Sequence, residues 1–164
     1  MAEEVTATTL FNGPVEMGLR ALIILVEVSP EAIDLQRLVT VDYFLVHSED
    51  LDGGPPSLHP PSPLRAGEVA VRRGLLERGL ELYRGRGLVK QVHSREGIRY
   101  LAADFAAAFL EAFSATYVRD LRLRATWIET ALASRTDEEL SQIVADARGR
   151  WRAEFATLAA EEEE

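Results

Sequence analysis

The stretch GEVAVRRGLLERGLELYRGRGLVKQVHSREGIRYLAA, from Gly67 to Ala103, decides the fold. From Gly67 to Arg84 the apolar residues Val69, Val71, Leu75, Leu76, Gly79, Leu80 and Tyr83 recur at mostly helical spacing, and Gly85 and Gly87 stop the helix. Leu88 to Val92 is a short β-prone run, His93 to Gly97 a polar turn, and Ile98 to Leu101 a second β-prone run.

A helix followed by two short strands predicts a winged-helix domain, mainly α with a small β-wing. The shape by itself names no chemistry. Toward the N-terminus, Asn12-Gly13-Pro14-Val15-Glu16 combines a cap at Asn12 or Gly13, a proline in the first turn and an early carboxylate. It predicts a helix from Pro14 to Glu27 with Val15, Leu19, Leu22, Ile23 and Val26 on its face, ended by Ser29-Pro30. Asp34 caps a second helix, Leu35 to His47, although Val39-Thr40-Val41 is β-branched and makes a strand the local alternative. Between this helix and the central one, residues 48–66 carry Gly53-Gly54 and five prolines. That composition predicts a stiff loop, and loops of such length are functional or disordered.

Toward the C-terminus, Asp104 is the expected cap of a helix in which Phe105, Phe109, Phe113 and Tyr117 recur every four residues. Such an aromatic ridge must face the core. The pattern reaches about Leu132, as one helix or as two with a break near Ser114. Thr136-Asp137-Glu138-Glu139 is a capping box. The helix it opens has Leu140, Ile143, Val144, Ala147, Trp151, Phe155 and Leu158 as its apolar stripe, which either packs back as an antiparallel hairpin or binds another chain. The expected organisation is therefore a flexible N-terminus over residues 1–10, a winged-helix-like domain over 11–113 with the 48–66 insertion, C-terminal helices over 114–160 and an acidic tail over 161–164.

Charge is unevenly distributed. Residues 1–64 carry 2 basic and 10 acidic side chains, residues 65–99 carry 9 and 4, and residues 100–164 carry 7 and 13, for a net charge of −9. The acidic bulk opposes general nucleic-acid binding, while the central basic island suits either a nucleic-acid footprint or an acidic protein surface. Cysteine is absent, which excludes disulfides and thiolate chemistry. No run of about eighteen apolar residues is present, and the Met1-Ala2-Glu3-Glu4 start is unlike a basic signal peptide, so a cytoplasmic location is expected.

Catalytic patterns are sparse. Gly85-Arg86-Gly87 ends a helix where a phosphate-binding loop would follow a strand. A metal site would need His47, His59 and His93 to converge, with Asp42 or Asp50, and none has a short ligand spacing. Ser57 and His59 lie two residues apart without an evident orienting carboxylate, so a hydrolase ranks last. The expectation is a non-enzyme without cofactor or metal.

The succession Asn12-x-Pro14-x-Glu16-x-Gly18-Leu19-Arg20, Leu38, Asp42-Tyr43, Val46-His47, Ser57-Leu58-His59-Pro60, Val71-Arg72-Arg73, Gly79-Leu80, Gly87-Leu88-Val89, Gly97-x-x-Tyr100 and Leu121 to Trp127 resembles the middle components of bacterial three-component ABC-ATPase conflict systems of the Lamassu-like kind. The resemblance spans roughly residues 11–130. It implies a small adaptor between a coiled-coil ATPase of the SMC/Rad50 type and an effector, often a nuclease, in anti-phage or anti-plasmid defence. DNA would then be met mainly through the complex, and no membrane is implied. Ser57, Leu58, His59, Pro60, Arg72 and Arg73 are the candidate partner-binding residues, and Arg72, Arg73, Lys90 and Arg95 are candidates for weak nucleic-acid contact. For the Ser57–Pro60 motif, local packing within its own domain is the alternative. The rival function is a winged-helix DNA-binding transcriptional regulator placing the Gly67–Arg84 helix in a major groove.

Overall fold

Nine consecutive residues of the first helix, Met17 to Leu25, are buried, so this helix has no solvent face along its middle and forms the axis of the molecule. The structure, a computed structural model, describes residues 13–60, 66–147 and 149, without the side chains of residues 66–70. The axial helix α1 is Pro14–Glu27, as the proline and the Ser29-Pro30 stop predict. Val15 departs from the expected apolar face: it is 64% exposed.

Strand β1, Ile33–Asp34, leads directly into α2, Leu35–Val46. The Asp34 carboxylate accepts a hydrogen bond from the Arg37 amide at 2.8 Å, so the predicted cap forms and the β-branched run is helical. Tertiary packing overrides the local preference here, with Leu38, Phe44, Leu45 and Val46 fully buried. Ser48–Asp50 then makes a single 3₁₀ turn. The proline-rich loop folds back onto the end of α2: the Leu58 and His59 amides both donate to the Val46 carbonyl, at 3.0 and 3.1 Å. Residues 61–65 lie outside the described part.

Helix α3, Ala66–Gly85, is followed by β2, Val89–Ser94, and β3, Gly97–Ala102. The predicted order of helix, strand, turn and strand is therefore present, with longer strands and a two-residue turn at Arg95-Glu96. Leu76, Leu80 and Tyr83 of α3 are buried, whereas Val71, expected on the same face, is 61% exposed. The short β1 pairs antiparallel with β3, Ile33 opposite Tyr100, giving a three-stranded antiparallel sheet in the order β1-β3-β2. Two residues are too few to show a period-two pattern, which is why β1 escapes sequence reading.

The aromatic ridge is interrupted. Helix α4, Ala106–Glu111, and helix α5, Thr116–Leu132, are separate, with the break falling at the anticipated place. Phe109, Phe113 and Tyr117 pack against the core, but Phe105 is the N-cap residue of α4 and is 68% exposed, and Asp104 provides no cap hydrogen bond. The fourfold spacing misleads at Phe105 because the helix begins only after it, at Ala106. Val118, Leu121 and Ala125 of α5 join the core around α1. Ile128 and Leu132 join a second cluster with Tyr43, Phe44, Leu51, Leu140 and Val144.

Residues 137–147 form the last described helix, α6. Its capping box closes in both directions: the Thr136 amide donates to Glu139 at 2.8 Å and the Glu139 amide to Thr136 Oγ1 at 3.2 Å. Leu140 and Val144 pack back toward α5 as a hairpin does. Trp151, Phe155 and Leu158 of the expected stripe, with the N-terminal residues 1–12 and the acidic tail, fall outside the described residues. Among the described residues no helix is long and apolar enough to cross a membrane.

Candidate functional site

A charged residue inside an otherwise apolar helix must find its counter-charge within the protein. Arg20 on α1 and Asp42 on α2 are each fully buried, and they form a two-pronged ion pair with contacts of 2.6 and 2.8 Å. Arg72 of α3 reaches the same carboxylate, its Nε and Nη2 lying 3.1 and 3.0 Å from Asp42 Oδ2. One carboxylate thus ties three helices together. Burial by itself would raise the Asp42 carboxyl, but the two guanidinium charges and their hydrogen bonds outweigh it and hold it down at about 2.

Polar groups extend from this centre in two directions. Arg72 sits over the Tyr43 ring at 5.8 Å, and the Tyr43 hydroxyl donates to Asp50 at the start of the loop. On the other side, His47 packs against Tyr43 with ring centroids 4.9 Å apart and meets the His59 ring edge-on at 6.3 Å. His59 Nε2 lies 2.7 Å from the Tyr117 hydroxyl, and Tyr117 in turn hydrogen-bonds Glu16. A tyrosine hydroxyl has one proton. When that proton goes to an ionised Glu16, His59 must donate from Nε2, and when it goes to His59 the imidazole accepts.

These environments shift the titrating groups. Burial, reinforced by the Arg72 charge, pushes His47 down to about 4. Burial and then the Arg20 charge push His59 down to about 4. Burial raises Glu16 above the ordinary carboxylate range despite the Tyr117 hydrogen bond and Arg20, and burial and the Glu16 charge raise Tyr117. Both histidines are therefore neutral at pH 7, and the contacts of the cluster join α1, α2, α3, the loop and α5. Among the described residues no group of three or more histidines and carboxylates is placed to hold a metal ion. His93 lies on β2, exposed and apart from the other two histidines.

The sequence-derived candidates divide between interior and surface. The Ser57 hydroxyl accepts from the Glu49 amide at 3.2 Å, Leu58 is half-buried against the core, His59 joins Tyr117, and Pro60 is exposed. Arg72 turns inward, with 15% of its side chain exposed. Arg73 stays on the surface, where it donates to Gln36 at 3.0 Å, and Lys90 lies 3.5 Å from Asp104. Arg95 is exposed at the tip of the hairpin. The structure brings His59 and Arg72 to one polar cluster and leaves Arg73, Lys90 and Arg95 outside it.

Glu16 and Arg20 stood in the family-like motif and Tyr117 on the aromatic ridge without being assigned to a site, although an arginine in the run Leu19 to Val26 and an aspartate in Leu38 to Val46 carry the signal of a buried pair. A shallow concavity on the opposite side of the loop is lined by Pro55, Asp120, Leu123, Arg124 and Trp127. Leu123 there is 72% exposed, and Arg124 donates to the buried Ser48 hydroxyl at 2.7 Å.

Compared with known proteins, residues 10–154 match the family model described as ABC-three component (ABC-3C) system Middle Component 2. No curated protein and no solved structure matches.

Proposed function

Because the chain belongs to the Middle Component 2 family of ABC-three component systems, we propose that it is a non-catalytic adaptor linking a coiled-coil ATPase of the SMC/Rad50 type to an effector, such as a nuclease, in a bacterial anti-phage or anti-plasmid complex. A subunit of a multi-component ABC system works with partner subunits, and the family match over residues 10–154 is the observation that carries this reading. The site geometry supports it: the groups best suited to acid–base work, Asp42, His47 and His59, are interlocked inside the subunit. Exposed apolar side chains, among them Phe105 and Leu123, supply surface suited to protein contact. The α3-β2-β3 unit acts in this reading as a winged helix whose role is protein docking, in the cytoplasm.

The exposed Arg78 and Arg86 on and just after α3, with Arg95 on the hairpin, favour a second reading, a winged-helix DNA-binding regulator. Co-expression with the other two components of the system separates the two. The adaptor co-purifies in a defined ratio, and the lone chain binds duplex DNA weakly, losing it between low and physiological salt. Tight, sequence-selective binding by the lone chain at physiological salt overturns the adaptor reading.

A further inference from the structure

Among the described residues no strand pairs with the outer edge of β2. In the order β1-β3-β2, β3 is paired on both sides, whereas β2 is paired only through β3 among the described residues. Ser94 pairs with Gly97 across the two-residue turn, and at the other end of the ladder the Ala103 amide donates to the Leu88 carbonyl at 2.9 Å. Both contacts fix the parity. Lys90, Val92 and Ser94 bond toward β3, and the main-chain N–H and C=O groups of Val89, Gln91 and His93 point away from the sheet.

Proteins guard such edges with prolines, bulges or inward charges. The Val89–Ser94 strand contains no proline, and its pairing with β3 runs without a bulge over six residues. Apolar surface accompanies the outward groups on one face of the edge strand, where Val92 is 42% exposed. The charge around the edge is net positive: Lys90 lies 3.5 Å from Asp104 and Arg99 2.5 Å from Glu96, while the exposed Arg86 and Arg95 add two further positive charges.

We propose that the β2 edge is a docking site for an extended, acidic segment of a partner subunit, which adds to the sheet as a fourth strand beside Val89–Ser94. Main-chain hydrogen bonds at Gln91 and His93, the accessible outward positions beyond the buried Val89, supply the register, Val92 the apolar contact, and carboxylates of the segment meet Lys90 and Arg95. Charge selects this occupant over a second copy of the chain, since two such edges placed side by side bring like charges together. The inference rests on the adaptor reading and specifies where that adaptor grips.

The deciding variant is Gln91→Pro. The Gln91 N–H points off the sheet, so proline removes an edge donor and leaves the β2–β3 ladder bonds in place. Wild type and variant are each co-expressed with the other two components of the system, and affinity and amide hydrogen exchange are measured. The expected result is at least a tenfold loss of affinity in Gln91→Pro, with the Gln91 and His93 amides slow to exchange only in the wild-type complex. Should Gln91→Pro lower the thermal midpoint of the lone subunit, the double variant Lys90→Glu, Arg95→Glu keeps the strand and is expected to weaken the complex about tenfold at low salt.

A wild-type complex that both variants join with unchanged affinity and exchange overturns the edge proposal and leaves the adaptor reading standing. A lone subunit that is dimeric in a manner abolished by Gln91→Pro overturns it in favour of a second copy. Slow exchange at Gln91 and His93 already in the lone monomer overturns it in favour of an occupant within the chain. Failure of the wild-type chain to join either component overturns the adaptor reading and this proposal together.

Discussion

Gly18 on α1 and Gly79 on α3 cross with their backbones in contact: a Cβ on Gly79 would lie 2.5 Å from the Gly18 nitrogen and 2.7 Å from the Pro14 carbonyl oxygen. A Cβ on Gly18 would meet the Tyr83 ring at 2.5 Å. The Tyr83 hydroxyl completes the crossing by donating to the Val15 carbonyl at 3.1 Å. This approach is what lets α3 lie close enough for Arg72 to reach Asp42.

Gly79→Ala is expected to destabilise the protein by about 2 kcal/mol or more, because backbone rather than a flexible side chain occupies the space and the helix-propensity gain of about 1 kcal/mol does not offset it. Gly74 is the internal comparison. It sits in the same helix with only the Arg78 Nη2 within reach of a Cβ, at 3.9 Å, so Gly74→Ala should stabilise by about 0.5–1 kcal/mol. Urea melts of the two variants check the contrast, and equal effects would contradict the crossing geometry.

Removing the Asp42 charge leaves Arg20 fully buried without its counter-ion. Asp42→Asn is expected to cost about 3–5 kcal/mol, a large share of the stability of a domain this size. Arg72→Ala should cost less, about 1–2 kcal/mol, since Arg72 is partly exposed and Arg20 still satisfies the carboxylate. Equilibrium unfolding of both single variants, and a cycle of Arg72→Ala with Tyr43→Leu for the ring contact, measures the ordering.

Both buried histidines have folded-state values near 4, below the usual unfolded value of about 6.5. Between those limits the unfolded chain binds more protons, so stability is fully present above about pH 6.5 and declines as pH falls toward 4. Asp42 adds a further loss below its unfolded value near 4, continuing toward 2. His47→Gln should flatten the upper part of the profile by on the order of 2 kcal/mol. Thermal midpoints from pH 8 to pH 4 test the sign, and a midpoint that rises on acidification would contradict neutral histidines.

Two phenylalanines four residues apart should respond differently. Phe109 touches Tyr83 and Phe113 edge-to-face at 6.3 and 5.3 Å and packs on the core, so Phe109→Ala is expected to cost about 2–4 kcal/mol. Phe105→Ala should change stability by less than about 0.5 kcal/mol, since the ring is mostly in solvent. Thermal denaturation of the lone subunit reads both.

Leu58 and His59 present a mixed case, because the loop that carries them packs on the end of α2. Leu58→Ala should lower stability by about 1–2 kcal/mol through lost core contact. His59→Ala removes the partner of the Tyr117 hydroxyl and should make the pH profile shallower as well. If the paired replacement left the thermal midpoint unchanged and abolished co-purification with the other components, the motif would act outward at an interface instead.

Local signals account for most of the secondary structure. Pro14, Ser29-Pro30, Asp34, the Gly85 to Gly87 stop and the Thr136–Glu139 box each act within one turn of chain, and each is found where its chemistry puts it. The uneven charge was likewise present in the residues alone, and the succession of short motifs was enough to indicate the family. Strand β1 was not legible there, nor was the exposure of Phe105, because a two-residue bridge has no periodicity and a spacing of four does not show at which residue a helix begins.

What only the tertiary structure decided is which polar residues matter to one another. Arg20, Asp42 and Arg72 are separated by 22 and 30 positions and are joined because α1 is wrapped on all sides, where an unpaired charge is not tolerated. The same wrapping brings His47, His59 and Tyr117 together from a helix end, a loop and a later helix. A helix terminus is written in adjacent residues, but a buried charge finds its partner wherever the fold closes, and closure depends on side-chain packing summed over the whole chain.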